Sequence, residues 1–216
     1  MNAARAAIAL IVLILSAAGQ AAAAVPADIR PALRETLASF DMSRADARSS
    51  AVRSLYESRG FVPLWIGADG PAPRAVRLVE TLRNSAELGL MASDYAIQDI
   101  DRLLRSGDES SLSRLELLLT QSAIRYAADL QGARVASVTL PPEVRIAPRP
   151  LDLDATLRDL AQADDPEAVF DRLSPSSPQY ALLLDWLARY RQIKGAGGWR
   201  ALPGGKTIEP FATDAR

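Results

Sequence analysis

Apolar residues recur at intervals of three and four along most of this chain, which is the spacing of one face of an α-helix. The longest such run predicts a helix from about Ser110 to Gln131. Gly132 follows it, and glycine commonly ends helices because it adopts the left-handed conformation without strain. We expect this helix to be the spine of the fold. Its apolar side consists of Leu112, Leu115, Leu119, Ala123, Tyr126 and Leu130.

Seven shorter runs with the same spacing predict further helices, and several have recognisable start residues. Two begin with a hydrogen-bond acceptor followed by proline, at residues 165–166 and 177–178, which suits the cap and first position of a helix. We expect Ser93 to cap the helix that precedes the spine, and Asp152 or Asp154 to open the one that follows it. The predicted ranges are 28–40, 44–59, 73–89, 93–104, 152–160, 166–173 and 178–193.

Two of these helices have apolar stripes that we expect to face the core. The stripe of the helix that begins at Pro73 consists of Val76, Val79, Leu82 and Ala86. The stripe of the last helix consists of Leu183, Trp186, Leu187 and Tyr190.

Segments rich in proline and glycine separate the helices. Pro63 cannot lie inside a helix and disfavours the α conformation at Val62, so residues 61–65 are expected to be extended. Residues 67–73 are expected to form a turn-rich link. The prolines beyond Gly132 predict an irregular arm. The pattern therefore predicts an all-α fold, an irregular multi-helix domain with Pro-rich connecting segments.

The first 24 residues have the three-part layout of a secretory signal peptide. Arg5 precedes an apolar run from Ala6 to Leu15, and small residues lead to an Ala-x-Ala cleavage site at Ala22 to Ala24. The apolar run is about ten residues long, whereas about 20 are needed to span a bilayer. We expect cleavage near Val25, export to the periplasm and no stable membrane span afterwards. A buried N-terminal helix and an uncleaved anchor are the alternatives.

Composition excludes several function classes. The chain has no His and no Cys, so it contains no thiol nucleophile, no histidine base and no disulfide. Zinc sites built on those ligands are excluded as well. Removal of Arg5 with the signal leaves 24 basic and 26 acidic residues, a net charge of about −2, which makes nucleic acid an unsuitable partner. We expect no catalytic residue, no cofactor and no metal.

Two pairs of carboxylates raise the question of whether the chain is an enzyme that cleaves glycans. Asp152 with Asp154, and Asp164 with Asp165, are in principle able to act as acid and base in glycan cleavage. Both pairs stand at predicted helix starts, where negative charge and side-chain acceptors stabilise the helix. The helix-start interpretation is favoured over a glycosidase.

Aromatic and arginine residues recur around the predicted helix ends. One interpretation is a surface that binds carbohydrate or a protein partner, since aromatic rings bury much area at little entropic cost. The other, which we favour for the aromatic residues, is that they fill the junctions between helices and loops. Arg125 and Asp129 are four residues apart and are able to pair on a helix surface. The candidate residues are Tyr56, Arg59, Trp65, Arg125, Asp129, Arg134 and Trp199.

Four groups of residues, in order along the chain, carry a resemblance to a known family. Residues 55–65 are similar to a Tyr-x-x-Arg-x-Phe-x-Pro-Leu-Trp stretch, and residues 89–95 to a Gly-Leu and Asp-Tyr pair. The third group is Leu115-Glu116, Thr120, Arg125-Tyr126, Asp129-Leu130 and Arg134-Val135. The fourth is Gly197-Gly198-Trp199, Leu202-Pro203, Gly205, Ile208 to Pro210, Asp214 and Arg216. From about Ala32 to Arg216 the chain resembles the N-terminal scaffold region of large Gram-negative murein L,D-transpeptidases of the YcbB type.

The resemblance implies a cell-wall enzyme in which this region supports a peptidoglycan-binding domain and a catalytic domain. The catalytic domain uses a Cys nucleophile and a nearby His to form 3-3 crosslinks, and neither residue type occurs here. The expected organisation is a signal peptide at 1–24, a scaffold domain at 25–204, and a linker or truncated start of a peptidoglycan-binding domain at 205–216.

The sequence therefore leaves three candidate functions. The favoured one is a non-catalytic scaffold part of a peptidoglycan L,D-transpeptidase involved in cell-wall crosslinking and remodelling, in a fragment or truncated product. The alternative is an autonomous periplasmic module that binds peptidoglycan or an envelope protein. An enzyme that uses carboxylates is the third.

Overall fold

The computed structural model describes residues 28–39, 47–134, 141, 143 and 148–199. The predicted signal peptide, the closing segment 205–216 and most of the Pro-rich arm lie outside the described residues. In the described part of the chain, the regular structure is helical apart from one short ribbon. The elements are α1 (Arg30–Ser39), α2 (Ala47–Ser58), β1 (Ile66–Gly67), β2 (Gly70–Pro71), α3 (Pro73–Arg83), α4 (Ile97–Ser106), α5 (Glu109–Leu130), α6 (Leu153–Gln162), α7 (Pro166–Leu173) and α8 (Pro178–Gly195), with 3₁₀ turns at Asn84–Leu88 and Ala92–Tyr95. The all-α prediction is confirmed.

Helix α5 is the spine, as its periodicity predicted. It begins after Asp108, whose carboxylate accepts a hydrogen bond from the Ser111 amide at 2.9 Å. It contacts α1, α2, α3, α4, α6 and α7, and 14 of its 22 residues are buried. A helix surrounded on nearly all sides must be apolar nearly all round, which explains why its buried set is wider than one stripe.

The starts of the later helices follow the predicted caps. Asp152 caps α6 by accepting from the Ala155 amide at 2.8 Å, which decides between the two candidate aspartates. Asp165 caps α7 and Ser177 caps α8, each followed by proline. The carboxylates of Asp152 and Asp165 therefore serve helix starts, as the favoured interpretation expected.

Two predicted helices are interrupted. The helix predicted over 93–104 is divided because Ala96 adopts a left-handed conformation with φ 53°, so a 3₁₀ turn precedes α4. The prediction that Ser93 caps this helix is wrong, because Ser93 lies inside the 3₁₀ turn and α4 begins after Ala96 without a side-chain cap. The helix predicted over 73–89 ends as an α-helix at Arg83 and continues as a 3₁₀ turn to Leu88. Gly89 then ends it with φ 79°. Periodicity alone does not show such changes, because a 3₁₀ turn keeps nearly the same spacing.

The two predicted inward stripes are partly wrong. Val76 of α3 is 50 % exposed, although Val79 and Leu82 are buried. No residue of α8 is buried, and most of its stripe faces outward. The helix rests on the Asn84–Leu88 turn, where the Arg191 guanidinium donates to the Ala86 carbonyl. Its apolar stripe lacks a covering element among the described residues.

Residues 62–65 lie outside any helix, as Pro63 predicted, but the prediction of an extended stretch is wrong at Phe61, which is left-handed with φ 64°. The turn-rich link that follows contains a short antiparallel ribbon. Ile66 pairs with Pro71, and Gly67 with Gly70. Two consecutive left-handed residues, Gly60 and Phe61, reverse the chain after α2 and return it to α5. In the described part of the chain, no helix combines the length and apolar composition needed to cross a bilayer.

Candidate functional site

A buried carboxylate lies at the centre of the domain, on the inner side of α5. Glu116 is fully buried and accepts four hydrogen bonds through its two carboxylate oxygens. Oε1 accepts from the Leu64 amide at 2.5 Å and from the Tyr56 hydroxyl at 2.7 Å. Oε2 accepts from the amides of Trp65 at 2.9 Å and Ile66 at 3.1 Å. We call Glu116 and these donors the Glu116 clamp.

Local sequence explains why the donors converge. Pro63 makes the chain extended, so its next amides lie outside any helix and need acceptors from elsewhere. One carboxylate satisfies three successive amides. Thr120, one helical turn after Glu116, adds a second tie: its Oγ1 accepts from the Trp65 indole at 2.8 Å and lies 2.6 Å from the Tyr56 hydroxyl.

The burial and pKa shifts of the Glu116 clamp favour a structural role for it over a catalytic one. Burial raises the pKa of Glu116, and the hydrogen bonds donated by Leu64, Tyr56, Trp65 and Ile66 oppose that rise. Burial and the neighbouring Glu116 raise the pKa of Tyr56 well above its usual range, so Tyr56 keeps its proton and acts as a donor. Because the carboxylate is fully enclosed, it is in no position to meet a substrate.

An open cleft lies elsewhere on the surface, where α2, α5 and the Ala92–Tyr95 turn meet. Its cavity volume is about 300 Å³. We call it the Arg/Asp cleft. It is lined by Arg48, Asp94, Arg125, Asp129, Ala133 and Arg134.

Both aspartates of the cleft are held by neighbours. Arg134 forms an ion pair with Oδ2 of Asp94, and this contact raises the pKa of Arg134. Oδ2 of Asp129 accepts from the Tyr95 hydroxyl at 2.9 Å. Burial, followed by the Asp129 charge, raises the pKa of Tyr95, which therefore remains a donor. Asp129 is thus held by Tyr95, and the contact with Arg125 that the i, i+4 spacing allows is not formed.

The remaining candidates divide between core and surface. Tyr56 and Trp65 are completely buried in the Glu116 clamp, so neither presents a binding face. Their polar atoms bond to the side chains of Glu116 and Thr120 on α5. Arg59 is half-buried, and its Nε has no hydrogen-bond partner. Trp199 is 69 % exposed and packs beside Tyr190 of α8, with ring centroids 5.7 Å apart.

Sequence reasoning missed the role of Glu116 and the membership of Arg48 and Asp94 in the cleft. The available signal for Glu116 was a glutamate between two leucines on the inner side of the most apolar helix. Nothing local marks Arg48 or Asp94, since they reach the cleft only through the packing of distant segments. Within the described residues, no group of three or more acidic side chains is placed to hold a metal ion.

The fold and its centre define a class: a helical domain organised around one spine and stabilised by a buried carboxylate. The chain belongs to the Scaffold domain family, whose model matches residues 50–187. The resemblance to the L,D-transpeptidase scaffold is thereby confirmed. The matched range includes the Glu116 clamp and all of the Arg/Asp cleft except Arg48. Comparisons with curated proteins and with solved structures gave no significant match.

Proposed function

We propose that this domain is a non-catalytic scaffold part of a peptidoglycan L,D-transpeptidase and takes part in crosslinking and remodelling the cell wall. The match to the Scaffold domain family carries the proposal. The absence of Cys and His from the sequence agrees with a supporting role, because acyl transfer by this class needs a nucleophile and a base.

The Glu116 clamp supports the same proposal. A scaffold must hold its surface in a fixed shape, and the clamp joins α2, residues 64–66 and α5 through buried hydrogen bonds. Buried, fully satisfied polar networks of this kind rigidify a core. The layout of residues 1–24 supports placement in the periplasm of a Gram-negative bacterium, with peptidoglycan or other envelope proteins as partners.

The proposal is tested by the composition of the cell wall. Deletion of the coding region for residues 28–199 should lower the fraction of 3-3 crosslinked muropeptides, and Glu116→Gln should lower it by destabilising the scaffold. Glu80→Gln, an exposed glutamate on α3, should leave the fraction unchanged. The purified chain should convert no tetrapeptide muropeptide on its own. An unchanged crosslink profile in the deletion strain, or turnover by the purified chain, would reject the proposal.

An autonomous binding module is the second candidate, and the exposed rings on and after α8 favour it. Trp186 is 45 %, Tyr190 52 % and Trp199 69 % exposed, and the three form a continuous series of neighbouring rings. Exposed aromatic groups of this kind commonly mark interaction sites. Sedimentation of the purified chain with sacculi, and its loss in a Trp186→Ala and Trp199→Ala double variant while the crosslink profile stays normal, would favour this candidate.

A further inference from the structure

The Arg/Asp cleft contains two guanidinium groups without partners. Arg48 and Arg125 line the same cavity, and neither forms a hydrogen bond or ion pair in the described part of the chain. Arg48 is half-buried and Arg125 is exposed, on separate helices. A guanidinium presents donors in a planar fork that matches the oxygens of a carboxylate or a phosphate.

The aspartates do not cancel this charge. Asp94 is engaged by Arg134 and Asp129 by the Tyr95 hydroxyl, each through Oδ2. Their Oδ1 atoms form no hydrogen bond among the described residues, so each retains acceptor capacity. The cleft therefore offers donors for an anion beside acceptors for a cation.

The positions of the aspartates are fixed by the core. Tyr95 is fully buried, and its carbonyl accepts from the Ser122 hydroxyl of α5 at 3.0 Å. Its ring packs edge-on against Tyr126, with centroids 5.3 Å apart. Asp129 thus receives its hydrogen bond from a side chain that has little freedom to move, and a pre-organised acceptor binds a ligand at lower entropic cost.

We propose that the Arg/Asp cleft binds an α-amino carboxylate group, with the ligand carboxylate on Arg48 and Arg125 and its ammonium group on Asp129. The arginines attract a dianion such as phosphate, but Asp94 and Asp129 repel it, whereas a zwitterion places a complementary charge against each sign of the cleft. A cavity of about 300 Å³ suits a ligand of amino-acid size. A free amino acid offers this group, and so does the unlinked side-chain end of a diamino dicarboxylic acid in a peptidoglycan stem. The C-terminus of a peptide does not, because its α-nitrogen is an amide.

Titrations of the isotope-labelled chain followed by NMR separate these chemistries. Alanine should shift the signals of the cleft residues. N-acetylalanine, which lacks the ammonium group, and alanine amide, which lacks the carboxylate, should each bind about tenfold more weakly, as expected for loss of one charge-assisted contact. Inorganic phosphate should not compete. Equal binding of phosphate and alanine, or no shift with any probe, overturns the proposal.

Substitutions test which cleft residue binds the ligand carboxylate and which binds its ammonium group. Arg125→Ala should weaken alanine binding about tenfold. Arg105→Ala, an exposed arginine on α4, is the matched control and should change nothing. Asp129→Asn keeps an oxygen for the Tyr95 hydroxyl but removes the charge, so alanine and N-acetylalanine should then bind equally. Unchanged affinity in Arg125→Ala, in a protein with a wild-type spectrum elsewhere, contradicts the assignment.

A further titration distinguishes the two sources of the group, and this arm rests on the proposed function. A disaccharide tetrapeptide muropeptide should bind more tightly than alanine if the cleft serves peptidoglycan. Binding of alanine without the muropeptide would retain the cleft chemistry and count against a peptidoglycan role for it. The proposed ligand of the cleft and the proposed scaffold function are therefore rejected by different outcomes.

Discussion

Glu116 shows how much one polar side chain inside an apolar helix determines. An ionised carboxylate in the core is strongly unfavourable unless hydrogen bonds replace its water. Here three amides and one hydroxyl do so, and those amides belong to residues 64–66, which lie outside any helix. The carboxylate and the extended stretch therefore each require the other.

Glu116→Gln should destabilise the domain although the two side chains have nearly the same shape. Both carboxylate oxygens accept main-chain hydrogen bonds, so either orientation of the amide places an N–H group against an amide donor. We expect a loss of roughly 2–4 kcal/mol in the free energy of unfolding, measured by urea denaturation. The exposed Glu80→Gln should stay within about 0.5 kcal/mol of wild type. Equal midpoints for the two variants would show that the clamp adds nothing.

At the scale of elements, the starts of the helices are set by local chemistry. Asp108 caps α5 through the Ser111 amide and also accepts from the Ser111 hydroxyl at 2.7 Å. These hydrogen bonds to the ionised form hold the pKa of Asp108 below its usual range. The cap thus links the stability of the spine helix to pH.

Asp108→Asn should remove that pH dependence. A carboxyl group whose pKa is lower in the folded state stabilises folding above its unfolded pKa, and the contribution disappears as the pH falls through the folded pKa. Wild type should be more stable than Asp108→Asn at neutral pH, and the difference should shrink as the pH falls through the lowered pKa of Asp108. Thermal unfolding of wild type and Asp108→Asn over a series of pH values measures this difference in stability. Asp69→Asn, in the exposed turn of the ribbon, is the control, and a difference that stays constant with pH would contradict the linkage.

Helix α8 shows that the sequence pattern of one helix does not determine which element covers its apolar side. Its apolar stripe was expected to face the core, yet Leu183, Trp186 and Tyr190 lie outward. Hydrophobic periodicity reports that a helix has an apolar side, but not which element covers it. Only contacts between distant residues decide that, here the packing of Leu187 near Gly89.

At the scale of the whole molecule, aromatic side chains join the spine to elements far away in sequence. Tyr126 of α5 packs edge-on against Tyr95 on one side and against Phe170 of α7 on the other, the latter with centroids 4.9 Å apart. Burial raises the pKa of Tyr126 to about 12. Trp65 is buried in the core beside Thr120. The guanidinium carbon of Arg74 lies over the Trp65 ring, 5.0 Å from its centroid.

Trp65→Ala and Tyr126→Ala should therefore destabilise the entire domain. Removal of a buried aromatic side chain costs about 3–5 kcal/mol, a large part of a total stability of roughly 5–15 kcal/mol. Both denaturant midpoints should fall sharply, while Arg105→Ala, on the surface of α4, should remain near wild type. Wild-type midpoints in both aromatic variants, with binding to sacculi lost, would support the binding module instead of the scaffold.

The sequence by itself determined the all-α class, the spine helix and most helix starts, because periodicity and caps are local and act within a few residues. It also placed Arg125, Asp129 and Arg134 near one another, since they lie within a short stretch around the end of one helix. Tertiary structure alone decided that Glu116 binds residues 64–66, 50 to 52 positions earlier, and that Arg48 and Asp94 complete the cleft. It also left most of the stripe of α8 without a covering element among the residues that the structure describes. These outcomes depend on which elements pack together, and that choice is made by the sum of long-range contacts.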